Sequence, residues 1–176
     1  MANHITNKLT INGTEEQVKE VLNFIKIEEG ENEHYSGIGT IDFNKITPMP
    51  KWVCSKSLGQ KEFEKYGEEN CWYDWRLRNW GTKWNAYSQL GSRNTEDTIF
   101  FETAWSGVPE LIEKLAGIFP DVTIDYSYAD EDFGHNTGSY TFKDTDVSSY
   151  IPEDGSKEAY NLAMDICGIV PDDMDF

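Results

Sequence analysis

The chain has 176 residues, of which 15 are lysine or arginine and 32 are aspartate or glutamate, so its formal net charge is −17. A chain of this length fits one domain, and an aromatic content of 14% supplies enough large rings for a packed core. The acidic surface repels nucleic acid and anionic membranes at long range, so we expect neither membrane association nor direct nucleic-acid binding.

Leader segments and cysteines point to the same compartment. No apolar run approaches the length of a membrane span, and the N-terminal residues lack the basic and apolar regions of a signal peptide. The three cysteines, Cys54, Cys71 and Cys167, are widely spaced and odd in number, which predicts neither a disulfide framework nor a zinc site. These features favour the reducing cytoplasm.

The first part of the chain predicts a strand, a helix and a second strand. Apolar and polar residues alternate over residues 4–11, as in a half-buried strand. Residues 14–17 match a capping box, and apolar residues at helical spacing follow it. These apolar residues are Val18, Val21, Leu22 and Ile25. Residues 38–43 predict the second strand, which Pro48 and Pro50 end.

Residues 51–97 interrupt this regular pattern. The sequence predicts one helix over residues 56–69 and another over residues 72–80, with Gly81 ending the second helix. The remainder, up to Asn94, predicts irregular or partly extended structure. We therefore expect an insertion rather than a continuation of the preceding strand and helix.

The last part of the chain returns to regular alternation. Its predicted elements are a strand over 98–105, a helix ending before Pro120, strands over 122–128 and 138–143, and a helix over 156–167. Ser106 is expected to cap the first of these helices, and Pro109 fits its first turn. The residues expected on the buried sides of the two helices are Val108, Ile112, Leu115 and Phe119 in the first, and Tyr160, Ala163, Met164 and Cys167 in the second.

This order of elements predicts an α+β fold of the ferredoxin-like type, a split βαβ sandwich whose antiparallel sheet carries helices on one face. The domain is expected to span residues 1–170, with the tryptophan-rich insertion at 51–97 between its two halves and an extra C-terminal helix. Residues 171–176 predict a frayed acidic tail.

A short string in the insertion resembles a known family. The string Asn-Trp-Gly-Thr-Lys-Trp-Asn-Ala at residues 79–86 is similar to the signature of the YubB-like proteins of phages, prophages and plasmids. The strand Asn-Lys-Leu-Thr-Ile and the runs at residues 43–50 and 129–134 are similar as well. The resemblance covers most of residues 4–142 and implies a ferredoxin-like fold and a mobile-element origin. It supplies no catalytic residues.

The segment from Cys71 to Arg93 is the main candidate site. It holds four cations and one acid, a net charge of +3, and four of the six tryptophans lie between Trp72 and Trp84. Tryptophan rings stack on bases and cationic side chains hold phosphates, so the segment predicts a site for a nucleotide-type ligand. The candidate ligand-binding residues are Trp72, Arg76, Arg78, Trp80, Lys83 and Trp84.

A structural interpretation of the same segment stays open. The rings can instead cover an open face of the sheet, since tryptophan is mainly a packing residue. Arg76 and Arg78 are two positions apart, so on a helix they point in different directions, and each can pair with a local acid such as Asp74 or Glu69.

Other motifs predict little chemistry. The acidic run Asp130, Glu131, Asp132 does not match a calcium loop and is typical of a solvated hairpin tip, so no metal or cofactor is predicted. The three histidines are scattered, and the chain contains none of the local nucleophile or zinc motifs. Folding can still bring a catalytic pair together, which leaves catalysis open.

The sequence therefore favours a non-enzymatic binding protein of phage or mobile-element origin, located in the host cytoplasm. It is expected to block or sequester a host component, with inhibition of host defence as one such role, by binding a host protein or a small anionic aromatic ligand. Residues 121–176 carry a net charge of −12, which also predicts an acidic mimic of DNA that occupies a host nucleic-acid-binding protein. A third alternative is a structural module that assembles with a second copy of the chain.

Overall fold

The computed structural model describes residues 1–56 and 59–169, and these residues form one antiparallel sheet with helices. The strands are β1 (His4–Asn12), β2 (Thr98–Ala104), β3 (Thr123–Asp130), β4 (Gly138–Lys143) and β5 (Asp146–Tyr150). The helices are α1 (Glu15–Ile25), α2 (Phe43–Ile46), α3 (Gln60–Tyr66), α4 (Trp72–Asn79), α5 (Pro109–Ile118) and α6 (Lys157–Cys167), with a 3₁₀ turn at Glu68–Asn70. The strand order is β2-β1-β3-β4-β5.

Three neighbouring strands of this sheet, from the edge strand β2 to β3, form a split βαβ unit. β1 is antiparallel to both β2 and β3, so β2 and β3 run parallel on either side of it, and α5 connects them. This confirms the predicted α+β class and the central motif of the predicted topology.

The main core lies between one face of the sheet and the helices α1 and α5. Alternation along the strands sends one set of side chains to this face, and the helices add their apolar stripes. The strand and helix residues at its centre include Leu9, Ile11, Val21, Leu22, Ile25, Phe101, Ile112, Leu115, Ile124 and Tyr126. The capping box of α1 forms as predicted, with Thr14 and Gln17 bonding to each other's backbone amides.

The helix α6 packs on the opposite face of the sheet. Its Ala163 and Ile166 form a small cluster with Ala129, whose position in β3 has the opposite parity to the core residues Ile124 and Tyr126. The prediction of helices on one face only is therefore wrong. The buried side of α6 is also shifted, since it buries Ala159, Ala163 and Ile166 and leaves Tyr160, Met164 and Cys167 half-buried.

The predicted strand over residues 38–43 is wrong. The backbone groups of Ile41 and Phe43 form hydrogen bonds with side-chain amides of the insertion instead of with a neighbouring strand. Gln89 accepts a hydrogen bond from the Ile41 amide at 2.7 Å and donates one to the Ile41 carbonyl at 3.0 Å. Asn85 accepts a bond from the Phe43 amide at 2.9 Å, and Phe43 begins the short helix α2.

Three further features differ from the prediction: the number of strands, the length of α3 and the cap of α5. β5 follows β4 as an additional strand that the sequence did not predict. The helix expected over residues 56–69 is shorter, Gln60–Tyr66, followed by a 3₁₀ turn. Ser106 does not cap α5, because its hydroxyl donates to the Gly81 carbonyl and Val108 occupies the cap position. The acidic tail predicted at 171–176 lies outside the described residues.

None of the helices within residues 1–56 and 59–169 has both the length and the apolar character that crossing a membrane requires.

Candidate ligand-binding site

The helix α4 carries three of the six predicted site residues and has the predicted end. It runs from Trp72 to Asn79, and the amides of Trp80 and Gly81 both bond to the carbonyl of Arg76. Gly81 has a φ of +78°, a conformation that disfavours residues with a Cβ. The chain therefore reverses at Gly81 and brings the next residues back beside the helix.

Two of the tryptophans belong to the core. Trp75 is 6% exposed and Trp80 is 2% exposed, and their rings meet edge to face with centroids 5.6 Å apart. The indole nitrogen of Trp80 donates to the carbonyl of Thr47 at 2.8 Å. Trp75 and Trp80 are therefore packing residues, as the structural interpretation of the segment predicted. The buried ring of Trp80 lies beneath the exposed residues of the candidate site.

Arg76 covers the outer side of this core. Its guanidinium carbon lies 4.9 Å from the ring centroid of Trp72 and 5.2 Å from that of Trp80. Burial lowers the pKa of Arg76. Within the described part of the chain its side chain has no hydrogen bond and no salt bridge, and its Nε atom is buried. The arrangement leaves a half-buried positive charge without an anion.

Arg78 and Arg93, the other arginines of the segment, each form hydrogen bonds with other protein groups. Arg78 donates to the carboxylate of Asp74 at 2.8 Å and to the carbonyl of Glu69, which confirms the alternative of local pairing for this arginine. Arg93 donates to the carbonyl of Ile166 at 2.7 Å and so closes the C-terminal end of α6. The two arginines of α4 thus have different environments, as their spacing predicted.

Lys83 lies among three aromatic rings. Its Nζ atom is 4.6 Å from the ring centroid of Trp84, 5.1 Å from that of Trp105 and 6.0 Å from that of Tyr73. Trp84 is 38% exposed and Trp105 is 41% exposed, so both rings present faces to solvent. No salt bridge of the described residues involves Lys83, which makes it a second cation without an acid.

The aromatic residues around Arg76 and those around Lys83 form one continuous surface. Tyr73 touches the Trp72 ring, with centroids 5.8 Å apart, and also faces Lys83. We call the combined area the aromatic–cationic surface. Its members are Trp72, Tyr73, Arg76, Lys83, Trp84 and Trp105. Sequence reasoning found four of them and missed Tyr73 and Trp105. Trp105 is far from Lys83 in the chain, and the two segments are joined by hydrogen bonds from Thr82 to the Ala104 carbonyl and from Ser106 to the Gly81 carbonyl.

Trp105 has an unusual backbone. Its φ is +68°, a value that costs a bulky residue energy and that is often found at functional positions. Its amide donates to the Asn3 carbonyl at 2.9 Å, and its carbonyl accepts from the Asn136 side chain at 3.1 Å. These bonds from two other segments hold the ring beside Lys83 in spite of the strain.

The acidic run after β3 supports this arrangement. Asp130 is 5% exposed and accepts hydrogen bonds from the side chains of Asn3 and Asn136 and from the amide of Asp132. Among the residues that the structure describes, no group of three histidine, cysteine, aspartate or glutamate side chains could hold a metal. Asp130 therefore has a structural role, since it positions the two segments that bind the Trp105 backbone.

A larger groove lies away from the unpaired cations. It has a volume of about 620 Å³ and is formed beside α1, with Ile38, Glu96 and Asp97 on its other side. Its one cation, Lys19, is paired with Glu15 at 2.7 Å. A smaller hollow of about 310 Å³ borders Trp84 of the aromatic–cationic surface, and another of about 250 Å³ lies beside the core residue Trp80, away from the members of that surface. Neither of the unpaired cations, Arg76 and Lys83, lines the larger groove.

The fold and this surface define a small α+β domain with a split βαβ sheet and an elaborated helical insertion. The chain belongs to the family of the ferredoxin-like domain in Api92-like proteins, whose model matches residues 79–168. The match begins at the end of α4 and includes Lys83, Trp84 and Trp105, whereas Trp72 and Arg76 precede it. No curated protein and no solved structure matches the chain significantly.

Proposed function

We propose that this protein is a non-enzymatic binding protein that holds a small anionic aromatic ligand, such as a nucleotide, on its aromatic–cationic surface. The observation that carries the proposal is the unpaired guanidinium of Arg76, half-buried against Trp72 and Trp80. A buried charge without a partner is costly for folding, and a bound anion would supply the partner.

The second cation extends the same chemistry. Lys83 supplies a positive charge next to the exposed rings of Trp84 and Trp105. A base stacks on an exposed aromatic face regardless of its identity, and each such contact contributes about 1–3 kcal/mol. Phosphate groups would be held by Arg76 and Lys83 through charge-assisted hydrogen bonds. The surface thus offers both halves of a nucleotide a suitable environment.

Isothermal titration calorimetry against a panel of nucleotides tests this proposal. We expect Arg76→Ala and Lys83→Ala to weaken binding by roughly ten- to a hundredfold, since a hydrogen bond to a charged group contributes about 1.5–3 kcal/mol. Arg78→Ala is the matched control, because it removes the same charge from the same helix but from a side chain that is already paired with Asp74. If no nucleotide binds, or if the three variants behave alike, the proposal fails.

The biological role that we propose follows from the resemblance to phage and plasmid proteins. A protein from a mobile element that binds a nucleotide signal or a host protein would block or sequester that component in the host cytoplasm, for example in a defence system. Capture from a host lysate, followed by mass spectrometry of both proteins and released small molecules, would identify the component. Arg76→Ala serves as the control bait, and a component that both baits retain equally does not use this surface.

An acidic mimic of DNA is the second candidate function. It is supported by exposed acidic side chains before, in and after β5, namely Asp144, Asp146, Glu153, Asp154 and Glu158. Like-charged side chains at an open surface would attract the basic face of a nucleic-acid-binding protein and would bind it less tightly as salt increases. Neutralising these acids to asparagine and glutamine separates the candidates, since it would abolish mimicry but leave nucleotide binding unchanged.

Assembly with a second copy is a third alternative. All five residues of β5 are exposed, and this strand forms one edge of the sheet. An unpaired edge can accept another strand. Sedimentation velocity over a range of concentrations would detect a dimer. Ser149→Pro removes a backbone donor on the side of β5 that faces away from β4, so it would dissociate a dimer formed at this edge.

A further inference from the structure

Cys54 and Cys71 lie side by side, although sixteen residues separate them in the sequence. They form a parallel bridge in which the Cys54 amide donates to the Asn70 carbonyl and the Trp72 amide donates to the Cys54 carbonyl, both at 2.9 Å. Paired residues on neighbouring extended segments lie about 5 Å apart, within the Cα separation of roughly 4.4–6.8 Å that a disulfide spans. The backbone therefore already has the separation that a disulfide needs.

The two thiols are close to each other, and they differ in their exposure to solvent. Cys54 is 7% exposed and Cys71 is 1% exposed. Burial raises the pKa of Cys71, and the neighbouring Cys54 thiol raises it further. Cys54, the more exposed of the pair, is therefore the thiol that an outside reagent reaches first, and Cys71 lies in position to react with it.

Two elements between the cysteines, α3 and the 3₁₀ turn, are exposed or half-buried along their length. Neither α3 nor the 3₁₀ turn that follows it buries any of its residues. Elements with few buried contacts open at low cost while the rest of the domain stays folded. Reagents can therefore reach the pair without unfolding of the sheet.

We propose that Cys54 and Cys71 are a dithiol modification site that a low-molecular-weight disulfide, such as glutathione disulfide, converts to a protein disulfide. The Cys54 thiolate attacks one sulfur of glutathione disulfide, which forms a mixed disulfide and releases one glutathione thiolate. Cys71 then loses its proton and attacks the Cys54 sulfur, and the second glutathione thiolate leaves. Two electrons pass from the protein to the reagent, and two reduced glutathione molecules result.

A disulfide between Cys54 and Cys71 would restrict the motion of the first turn of α4. Cys71 directly precedes α4, whose first residues include Trp72 and Tyr73. A disulfide would close the loop that holds α3 and the 3₁₀ turn and would restrict the unfolded chain, so the oxidised protein should resist denaturation more than the reduced one. The site does not depend on the proposed ligand.

Incubation of the folded protein with glutathione disulfide, followed by mass spectrometry, tests the proposal. We expect a product that has lost two hydrogen atoms and retains no glutathione, with Cys54 and Cys71 joined in the peptide map and with a higher urea midpoint that dithiothreitol reverses. The Cys167→Ser variant should react identically, because Cys167 lies on α6 across the sheet.

Two control variants separate the steps. Cys71→Ser should stop at the mixed disulfide and retain one glutathione on Cys54, whereas Cys54→Ser should react more slowly because the remaining thiol is the buried one. If Cys54 and Cys71 stay available to an alkylating reagent after treatment, or become linked only in urea, the dithiol site is disproved.

Discussion

The guanidinium carbon of Arg76 lies 4.9 Å from the ring centroid of Trp72, and this cation–π contact replaces the acidic partner that a half-buried arginine usually has. The other arginine of the same helix, Arg78, is paired with Asp74. The molecule therefore keeps one arginine of α4 unpaired at a place where pairing would favour folding. This free charge is the one that we propose binds an anionic ligand.

The first prediction concerns the stability cost of this arrangement. Arg76→Met keeps an unbranched apolar side chain against Trp72 and Trp80 but removes the buried Nε. The two lost cation–π contacts are worth about 0.5–1 kcal/mol each, and the unsatisfied buried polar group that is removed costs about 1–3 kcal/mol, so the two effects nearly cancel. We expect the variant to be as stable as the wild type, or up to about 1 kcal/mol more stable, in urea unfolding monitored by tryptophan fluorescence.

The same variant should lose ligand binding, which separates function from folding. Arg78→Met is the control, and we expect it to lose only about 0.2–1 kcal/mol, because its salt bridge with Asp74 is largely exposed. A loss of stability in Arg76→Met well beyond that of the control would mean that Arg76 is a structural residue.

The second prediction tests the strained backbone at Trp105. Both Trp105→Gly and Trp105→Ala remove the ring, but only glycine adopts the φ of +68° without strain. We expect the glycine variant to be more stable than the alanine variant by about 1–2 kcal/mol in urea unfolding. The same pair of substitutions at Trp84, which is not among the residues with positive φ, should show no advantage for glycine. Equal stability of the two Trp105 variants would show that this position is not strained.

The third prediction concerns a buried hydroxyl that connects three segments. The Tyr126 hydroxyl donates to the Asn7 side chain at 2.5 Å and accepts from the Val108 amide at 2.7 Å, and Tyr126 is 1% exposed. Tyr126→Phe leaves two buried groups without a partner, so we expect a loss of about 2–4 kcal/mol of unfolding free energy. Tyr140→Phe, on the neighbouring strand β4, should cost much less. Similar losses in the two variants would contradict the assignment.

The fourth prediction concerns the pH dependence of stability. Burial, with smaller contributions from Glu102 and Glu131, raises the pKa of Tyr87 from 10.0 to about 12. Between these two values the unfolded chain loses the phenol proton and the folded chain keeps it, so stability falls as the pH rises through this window and is unaffected below it. We expect Tyr87→Phe to lose less stability than the wild type over the lower part of the window.

Two measurements check this prediction. Urea midpoints at a series of pH values give the stability of both proteins, and the difference in phenolate absorbance between them gives the titration of Tyr87 itself. The hydroxyl of Tyr87 lies 2.7 Å from Nδ1 of His4, so the variant also removes this contact at every pH. A constant difference between the two proteins across the window would therefore assign the effect to the contact rather than to the raised pKa.

Local periodicity accounts for the elements that the sequence predicted well. The alternation in β1, β2 and β4 and the capping box of α1 depend on neighbouring residues, and each of these elements has nearly the predicted bounds. Gly81 ends α4 for a similarly local reason, since the residue after a helix often needs a positive φ. The extra strand β5 was missed because all of its residues are exposed and so leave no apolar alternation.

The sequence by itself determined the fold class, the central strand and helix pattern, and the concentration of tryptophan and positive charge around residues 72–84, because these depend on composition and on spacing along the chain. Only the tertiary structure decided that Arg78 is paired and Arg76 is not, that Trp105 completes the site, and that Cys54 meets Cys71. It also replaced the expected strand at 38–43 with bonds to Gln89 and Asn85. Each of these outcomes depends on contacts between residues far apart in the chain, where local patterns carry no information.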